Sequence, residues 1–340
     1  MAATVKDIAR KAGLSVSTVS RVLNKKAKQY RISEEAESQV LRIAHELNYR
    51  ANHIARGLRL KRTLTIGLVV PDISNPFFSH ITRIAQNVAS HSGYSLIVCD
   101  TNENLEIEIE QIDLLLSKGV DGFFIMPVGI HYQHIEQLIK DGKPLVLVDR
   151  SFDVLDINSV VIDNYNGAYK AVEHCIQQKH QRIAIIQGLQ STSTNNLRVQ
   201  GYLDALEHYK VPIDRNLIVG RDFRQENGYI ETKLLLNLEQ PPTAIFTTSD
   251  LITLGALQAI YEEKKKIPQD VSLVAFDDID FAPYLISPLT TVNQPKELMG
   301  EIAVKLLIDD IQSDESREKQ RIVLKPKLII RKSVAPPKIR

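Results

Sequence analysis

Residues 4–24, TVKDIARKAGLSVSTVSRVLN, carry the pattern on which the reading of the chain turns. Val5, Ile8, Ala9 and Ala12 recur at i, i+3, i+4 and i+7, one face of a helix. Thr4 and Asp7 can cap its start reciprocally, the hydroxyl accepting from the third helical N–H while the carboxylate reaches back. Gly13 ends that helix. Ser15 can cap a second one, whose Val19, Val22 and Leu23 share a buried face and leave Ser17, Ser20, Arg21 and Asn24 nearer solvent. Two short helices joined by a tight Gly-containing turn make a helix-turn-helix, whose second helix can enter a DNA major groove. Taken alone, the pattern also fits an ordinary helical hairpin with a solvated polar face.

Charge favours the first reading. Residues 1–62 hold 14 Lys and Arg against 5 Asp and Glu, a net of +9, although the whole chain carries only +1. The remaining residues therefore hold 28 basic and 36 acidic side chains, a net of −8. A basic head on an acidic body suits a part that meets phosphates and a part that does not.

The chain has 340 residues, enough for about two to three domains. Its 44% apolar and 24% charged composition is that of a globular protein. Cys99 and Cys175 both fall in apolar stretches with no disulfide or metal spacing, so a reducing, cytoplasmic setting is the simpler expectation. No run approaches the roughly 18 apolar residues of a membrane helix, and the N-terminus reads as a capped helix rather than a signal peptide, so no membrane partner is expected.

After the first two helices, the basic connection KKAKQYR (25–31) contains one aromatic, Tyr30. Ser33 can cap a third helix with Val40, Ile43, Ala44 and Leu47 as its apolar face, completing a three-helix head over residues 1–50. Residues 51–63 read as a linker with a marginal helix, Ile54, Ala55 and Leu58 on one side and Gly57 within it. From Leu64 on, apolar runs alternate with amphipathic helices. LTIGLVV (64–70), YSLIVCD (94–100), GFFIMPV (122–128) and PLVLVDR (144–150) read as buried strands separated by helices near 77–92, 104–118 and 131–142. A second series runs through SVVIDN (159–164), RIAIIQG (182–188), LIVGRDF (217–223), TAIFTTS (243–249) and VSLVAFD (271–277). Two doubly wound parallel-sheet subdomains follow, one spanning about 64–162 and 293–323, the other about 163–290 and 324–340. LTTVNQP (289–295) and IVLKPKLII (322–330), flanking a helix near 296–312, can cross back between them.

A ligand is expected in the crevice at the carboxyl ends of the strands. Asn75, Phe77, Phe78, Asp149, Arg150 and Asp277 fall just after strand ends, with Arg198, Phe223 and Gln294 in comparable places. Rings that cover the apolar faces of a pyranose, with carboxylates, guanidinium groups and amides for its hydroxyls, make the chemistry of a sugar site. Each residue alone also fits a turn or capping role. Catalytic and cofactor patterns are missing: no G-x-G-x-x-G follows the first strand, and neither a P-loop nor a G-x-S-x-G elbow occurs. No cofactor and no metal are expected. His131 and His134 lie three apart on a helix, more simply an exposed face than a metal site.

These residues together resemble the LacI/GalR family of bacterial transcription regulators over essentially the full chain. The head motif, ANHIARGLRLKRT, IGLVVPDISNPFF, KGVDGFFIMP, PTAIFTTSD, IPQDVSLVAFDD and SPLTTVNQP follow the family signatures in order. The resemblance implies a homodimer that binds double-stranded operator DNA under control of a small effector. It assigns base reading to Val16, Ser17 and Arg21, and phosphate contacts to Thr4, Ser15, Ser20 and Asn24, with Tyr30 in the DNA-binding set. Asn52, Ala55 and Leu58 match the hinge helix, where paired leucines wedge into the minor groove. Family members usually have Pro where this chain has Ala51, which puts hinge preorganisation in doubt. The connection KAKQYRIS resembles that of the Cra/FruR branch, whose effector is a phosphorylated sugar. The crevice set, Asn75, Phe77, Phe78, Asp149, Arg150, Arg198, Phe223, Asp277 and Gln294, is instead similar to ribose-binding proteins and ribose-type regulators.

The resulting expectation is a repressor, not an enzyme, that senses a ribose-like or other monosaccharide. A phosphorylated-sugar regulator is the alternative, since the head points that way. A sugar-binding transport protein lacks a reason for the basic head, and a nucleotide-dependent enzyme lacks phosphate-loop glycines.

Overall fold

The structure, a computed structural model, describes residues 3–24, 26–49, 62–190, 192–313 and 318–338. It divides into two compact units, Met1–Thr63 and Leu64–Arg340.

In the first unit, α1 (Val5–Ala12) starts at the reciprocal cap: Thr4 Oγ1 accepts from the Asp7 N–H at 3.3 Å, and Asp7 Oδ2 accepts from the Thr4 N–H at 3.0 Å. Gly13, at φ 64°, closes the helix in the left-handed region where a residue without Cβ is unstrained. The N-cap of α2 (Val16–Leu23) is Ser15, whose Oγ accepts from the Thr18 N–H at 3.0 Å. Ser33 likewise caps α3 (Glu34–Glu46), and Glu34, Glu35 and Glu37 sit in its first turn, where the helix dipole favours carboxylates. Ile8, Val19 and Val40, one from each helix, are fully buried at the centre; each such side chain contributes about 2 kcal/mol. Lys11 ties α1 to the end of α3 through Glu46 at 2.9 Å. The expected hinge residues Asn52, Ala55 and Leu58 lie outside the described residues.

In the second unit, β1 (Thr65–Val70), β2 (Ser95–Asp100), β3 (Gly122–Ile125), β4 (Leu145–Val148) and β5 (Asn158–Ile162) alternate with α4 (Pro76–His91), α5 (Leu105–Ser117) and α6 (Gln133–Lys140). A second set follows through α7 (Asn164–Gln177). It comprises β6 (Ile183–Ile186), β7 (Ile218–Val219), β8 (Ala244–Thr247), β9 (Ser272–Phe276) and β10 (Thr290–Asn293), with α8 (Ser193–His208), α9 (Gln225–Leu236) and α10 (Asp250–Glu262) between them. After α11 (Lys296–Gln312) come β11 (Arg321–Leu324) and β12 (Lys327–Ile329). The sheets have the orders β11-β5-β4-β3-β1-β2 and β12-β10-β9-β8-β6-β7, so one topology occurs twice. All neighbours are parallel except β12, which runs antiparallel to β10.

Four strand expectations are corrected. SVVIDN does not open the second series: β5 lies in the first sheet, between β4 and β11. YSLIVCD is not a buried strand, because β2 is a sheet edge with Ile97 and Val98 exposed. LIVGRDF pairs only over Ile218–Val219; Gly220, at φ 99°, turns the backbone out of the sheet. IVLKPKLII is two strands, one in each sheet, broken at Lys325-Pro326, where a proline cannot donate to a ladder.

Helices α9 and α10 meet backbone to backbone. A Cβ at Gly228 would lie 2.1 Å from the Ile252 carbonyl oxygen, and one at Gly255 2.0 Å from that of Gln225. This contact fixes the start of α10, where Ser249 and Asp250 stand.

Candidate functional site

In the head, α2 presents Val16, Ser17 and Arg21 to solvent opposite buried Val19 and Val22, and Val16 is 46% exposed although apolar. Ser20 and Asn24 continue the Val16 row at i+4 spacing; the Asn24 side-chain amide donates to the Ser20 carbonyl at 2.6 Å. Ser15 and Ser17 share a hydroxyl hydrogen bond of 2.7 Å. The Arg21 guanidinium lies 4.0 Å over the ring of exposed Tyr30, which holds a long side chain extended by cation–π attraction. Thr4 and Ser15 both cap helix starts. The chemistry of this face is a cation, small hydroxyls and one exposed methyl-bearing side chain, which suits base edges with phosphates alongside.

In the body, the structure brings all nine crevice residues named from the sequence to the lining of one small cavity, of about 30 Å³. The first half supplies Asn75, Phe77 and Phe78 from the β1–α4 turn and Asp149 and Arg150 after β4; the second supplies Arg198, Phe223, Asp277 and Gln294. Sequence reasoning missed three lining residues, Glu103, Thr194 and Ser249. Each follows a strand, β2, β6 and β8, so its position at a carboxyl end was the available signal.

Local structure explains the placements. Asn75 caps α4, its Oδ1 accepting from the Phe77 N–H at 2.8 Å, and thereby sets Phe77 and Phe78 edge-to-face with centroids 5.2 Å apart. Asp149 and Asp277 adopt left-handed φ of 67° and 78°, rare for residues with a Cβ. Phe223 packs against Gly188, where a Cβ would come within 2.1 Å of the ring. Arg150 is held by both oxygens of Glu103, at 2.8 and 2.7 Å, and by the Pro127 carbonyl at 3.1 Å, with its Cζ 5.7 Å from the rings of both Phe78 and Phe223. Arg198 donates to Asn164 Oδ1 at 2.8 Å and to the Thr248 carbonyl at 2.6 Å, stacked 3.8 Å over Phe276. Gln294 donates to Asp277 through its amide nitrogen.

Three buried atoms of lining residues lack a hydrogen-bond partner among the described residues: Asp149 Oδ1, Arg150 Nε and Gln294 Oε1. Such atoms are costly unless a ligand or an ordered water satisfies them. Burial pushes the Asp149 carboxyl up to about 6; Arg150 and Arg198 oppose the shift, and Asp277 and Glu103 add to it. Burial also works against the charge of Arg150, but the carboxylates of Glu103 and Asp149 outweigh it and hold the guanidinium protonated above its ordinary value. Outside the crevice, His134 Nε2 lies 2.6 Å from the buried Glu108 carboxylate, so its partner is a side chain of the fold. Cys99 and Cys175 are unpaired and buried. No helix among the described residues is long and apolar enough to cross a membrane.

Residues 4–52 match bacterial regulatory proteins of the lacI family, and residues 172–334 match the periplasmic binding protein-like domain. The chain is similar to the HTH-type transcriptional repressor PurR of Proteus mirabilis (strain HI4320), at 35% identity over 98% of this chain and 97% of that protein. It is similar to the ribose operon repressor of Haemophilus influenzae at 36% identity, covering 98% of each. Among solved structures, the lac repressor dimer bound to operator and the anti-inducer ONPF matches with a TM-score of 0.83 and 27% identity, over 98% of this chain and 100% of that one.

Proposed function

We propose, from the premise that this chain belongs to the lacI family of bacterial regulatory proteins, that it is a homodimeric repressor whose operator affinity is set by an uncharged, ribose-like monosaccharide. The observation that carries the effector reading is the set of unsatisfied atoms in the crevice. Asp149 Oδ1 and Gln294 Oε1 accept, Arg150 Nε donates, and the rings of Phe77, Phe78 and Phe223 stand beside them. Sugar hydroxyls supply the missing donors and acceptor, and the C–H faces of a sugar ring suit the aromatics.

On the output side, Val16, Ser17 and Arg21 read base edges, Thr4, Ser15, Ser20, Asn24 and Tyr30 fix register on phosphates, and Asn52, Ala55 and Leu58 form the hinge contact. Two heads on a pseudo-palindromic operator require two-fold symmetry. Exposed apolar side chains support pairing of the bodies: Ile97 and Val98 on edge strand β2, and Tyr284 and Ile286, 85% and 105% exposed, after β9. The ligand couples to DNA by closing the crevice between the halves and so changing the spacing of the two heads. The protein performs no chemistry on its ligand, and its place of action is the cytoplasm.

A thermal-shift screen against neutral pentoses and hexoses, their phosphates and purine bases tests the effector assignment. A neutral monosaccharide is expected to raise Tm, with about 2.7 kcal/mol of stabilisation at a hundredfold excess over Kd. A shift given only by phosphorylated sugars would establish the alternative that the head sequence raises, and a shift given only by purines would place the effector with PurR.

A further inference from the structure

We infer that Glu103 sets the charge selectivity of the crevice, admitting neutral sugars and rejecting anionic ones, because it occupies both terminal nitrogens of Arg150. The inference rests on the sugar-effector reading and extends it to a residue that the sequence pattern did not single out.

A guanidinium in a ligand crevice is by default an anion receptor, since its two terminal nitrogens form a fork that matches phosphate and carboxylate. Here that fork is already filled. Glu103 Oε2 and Oε1 accept from Nη1 and Nη2 of Arg150 at 2.8 and 2.7 Å, and Nη1 also donates to the Pro127 carbonyl. The donors left over are the second N–H of Nη2 and Nε, the latter buried without a partner among the described residues and 3.7 Å from Asp149 Oδ2. The edge offered to a ligand is therefore the Nε side of a guanidinium whose charge Glu103 already matches, with the Asp149 carboxylate beside it, a pattern that fits neighbouring hydroxyls and repels an anion.

The charge count agrees. Glu103, Asp149 and Asp277 stand against Arg150 and Arg198 in the lining, so the crevice has one more acidic group than basic. Without Glu103 the two signs would balance and the Arg150 fork would be open. The backbone that aims Glu103 is itself unusual: Asn102 and Glu103 are consecutive residues at φ 50° and 55°. The turn is pinned by the Glu103 N–H donating to the Pro71 carbonyl at 2.7 Å and by Asp100 Oδ1 accepting from the Asn102 N–H at 3.1 Å. This left-handed pair directs the carboxylate across to the end of β4.

The test is isothermal titration of the full-length protein and its Glu103→Gln, Glu103→Ala and Glu103→Asp variants with D-ribose, D-ribose 5-phosphate and inorganic phosphate. The unaltered protein is expected to bind D-ribose more tightly than its phosphate. Glu103→Gln and Glu103→Ala are expected to tighten binding of ribose 5-phosphate and of inorganic phosphate about tenfold or more, the effect of removing one negative charge beside the anion. Glu103→Asp, which keeps the charge, is expected to hold the discrimination within about threefold. A gain in phosphate affinity without any response to D-ribose in any variant supports the role of Glu103 while removing the sugar reading. Phosphate affinities unchanged in folded Glu103→Gln and Glu103→Ala, or an unaltered protein that binds ribose 5-phosphate as tightly as ribose, would overturn the inference.

Discussion

Asp149 and Asp277 occupy the same place in the two halves of the body. Each follows the strand next to the crossover, β4 or β9, and each donates its backbone N–H to the adjacent strand, Asp149 to the Val160 carbonyl and Asp277 to that of Val292, both at 3.0 Å. Both have positive φ and both line the crevice. Two carboxylates are thus brought toward one small cavity by the same strained turn used twice. A left-handed residue with a Cβ costs about 1–2 kcal/mol, and strain of this kind collects where a site needs a side chain aimed in one direction.

Asp149→Gly separates that strain from its use. Glycine accepts the turn without a Cβ clash and removes a buried carboxylate, so the variant is expected to be as stable as the parent or up to about 1 kcal/mol more stable in urea unfolding. Its ligand-dependent rise in Tm is expected to vanish. A large loss of stability together with a retained sugar response would show that Asp149 supports the fold rather than the ligand.

Ligand affinity is expected to depend on pH through Asp149. With the carboxyl pushed up to about 6 by burial, its contribution to stability is full below about 4, its unfolded range, and is lost as pH rises through 6. Sugar binding runs the other way, because hydroxyl donors favour the ionised acceptor. Titration calorimetry should find affinity rising about tenfold between pH 5 and 7, and Asp149→Asn should flatten that profile. Asp250, also raised by burial and then by Asp277, adds to the fall in stability over the same direction of pH.

On the DNA side, Arg21→Ala is expected to weaken operator binding by about 1–3 kcal/mol while leaving the sugar-dependent Tm shift intact. Tyr30→Ala, which removes the ring 4.0 Å beneath the guanidinium, should weaken it by a smaller amount, about 0.5–1 kcal/mol. Leu58→Ala should weaken it as well if the hinge enters the minor groove. Fluorescence titration against a labelled duplex measures all three, and undiminished affinity of Arg21→Ala would remove α2 as the reading helix.

Much of this was legible because the signals were local. The caps at Thr4, Ser15 and Ser33 and the period of Val19 and Val22 are decided within a few residues, and the helices they mark lie where the spacing puts them. The crevice set was legible because doubly wound sheets place strand-end residues together. What escaped depends on partners far along the sequence. Glu103 is known to face the cavity only once it is seen on Arg150, 47 residues later. The exposure of β2 follows from its place at the sheet edge, which its apolar sequence does not encode. The split of IVLKPKLII depends on two sheets competing for one segment, with Pro326 ending the first pairing.

The central claim is that the crevice controls the head, and operator affinity with and without sugar tests it most directly. Using a pseudo-palindromic duplex selected from a randomised pool, D-ribose is expected to change the operator Kd of the unaltered protein by about fivefold or more, corresponding to at least ~1 kcal/mol of coupling. It should leave that of Asp277→Ala unchanged. An operator Kd that no neutral monosaccharide moves, in a protein that binds one of them, would contradict the account.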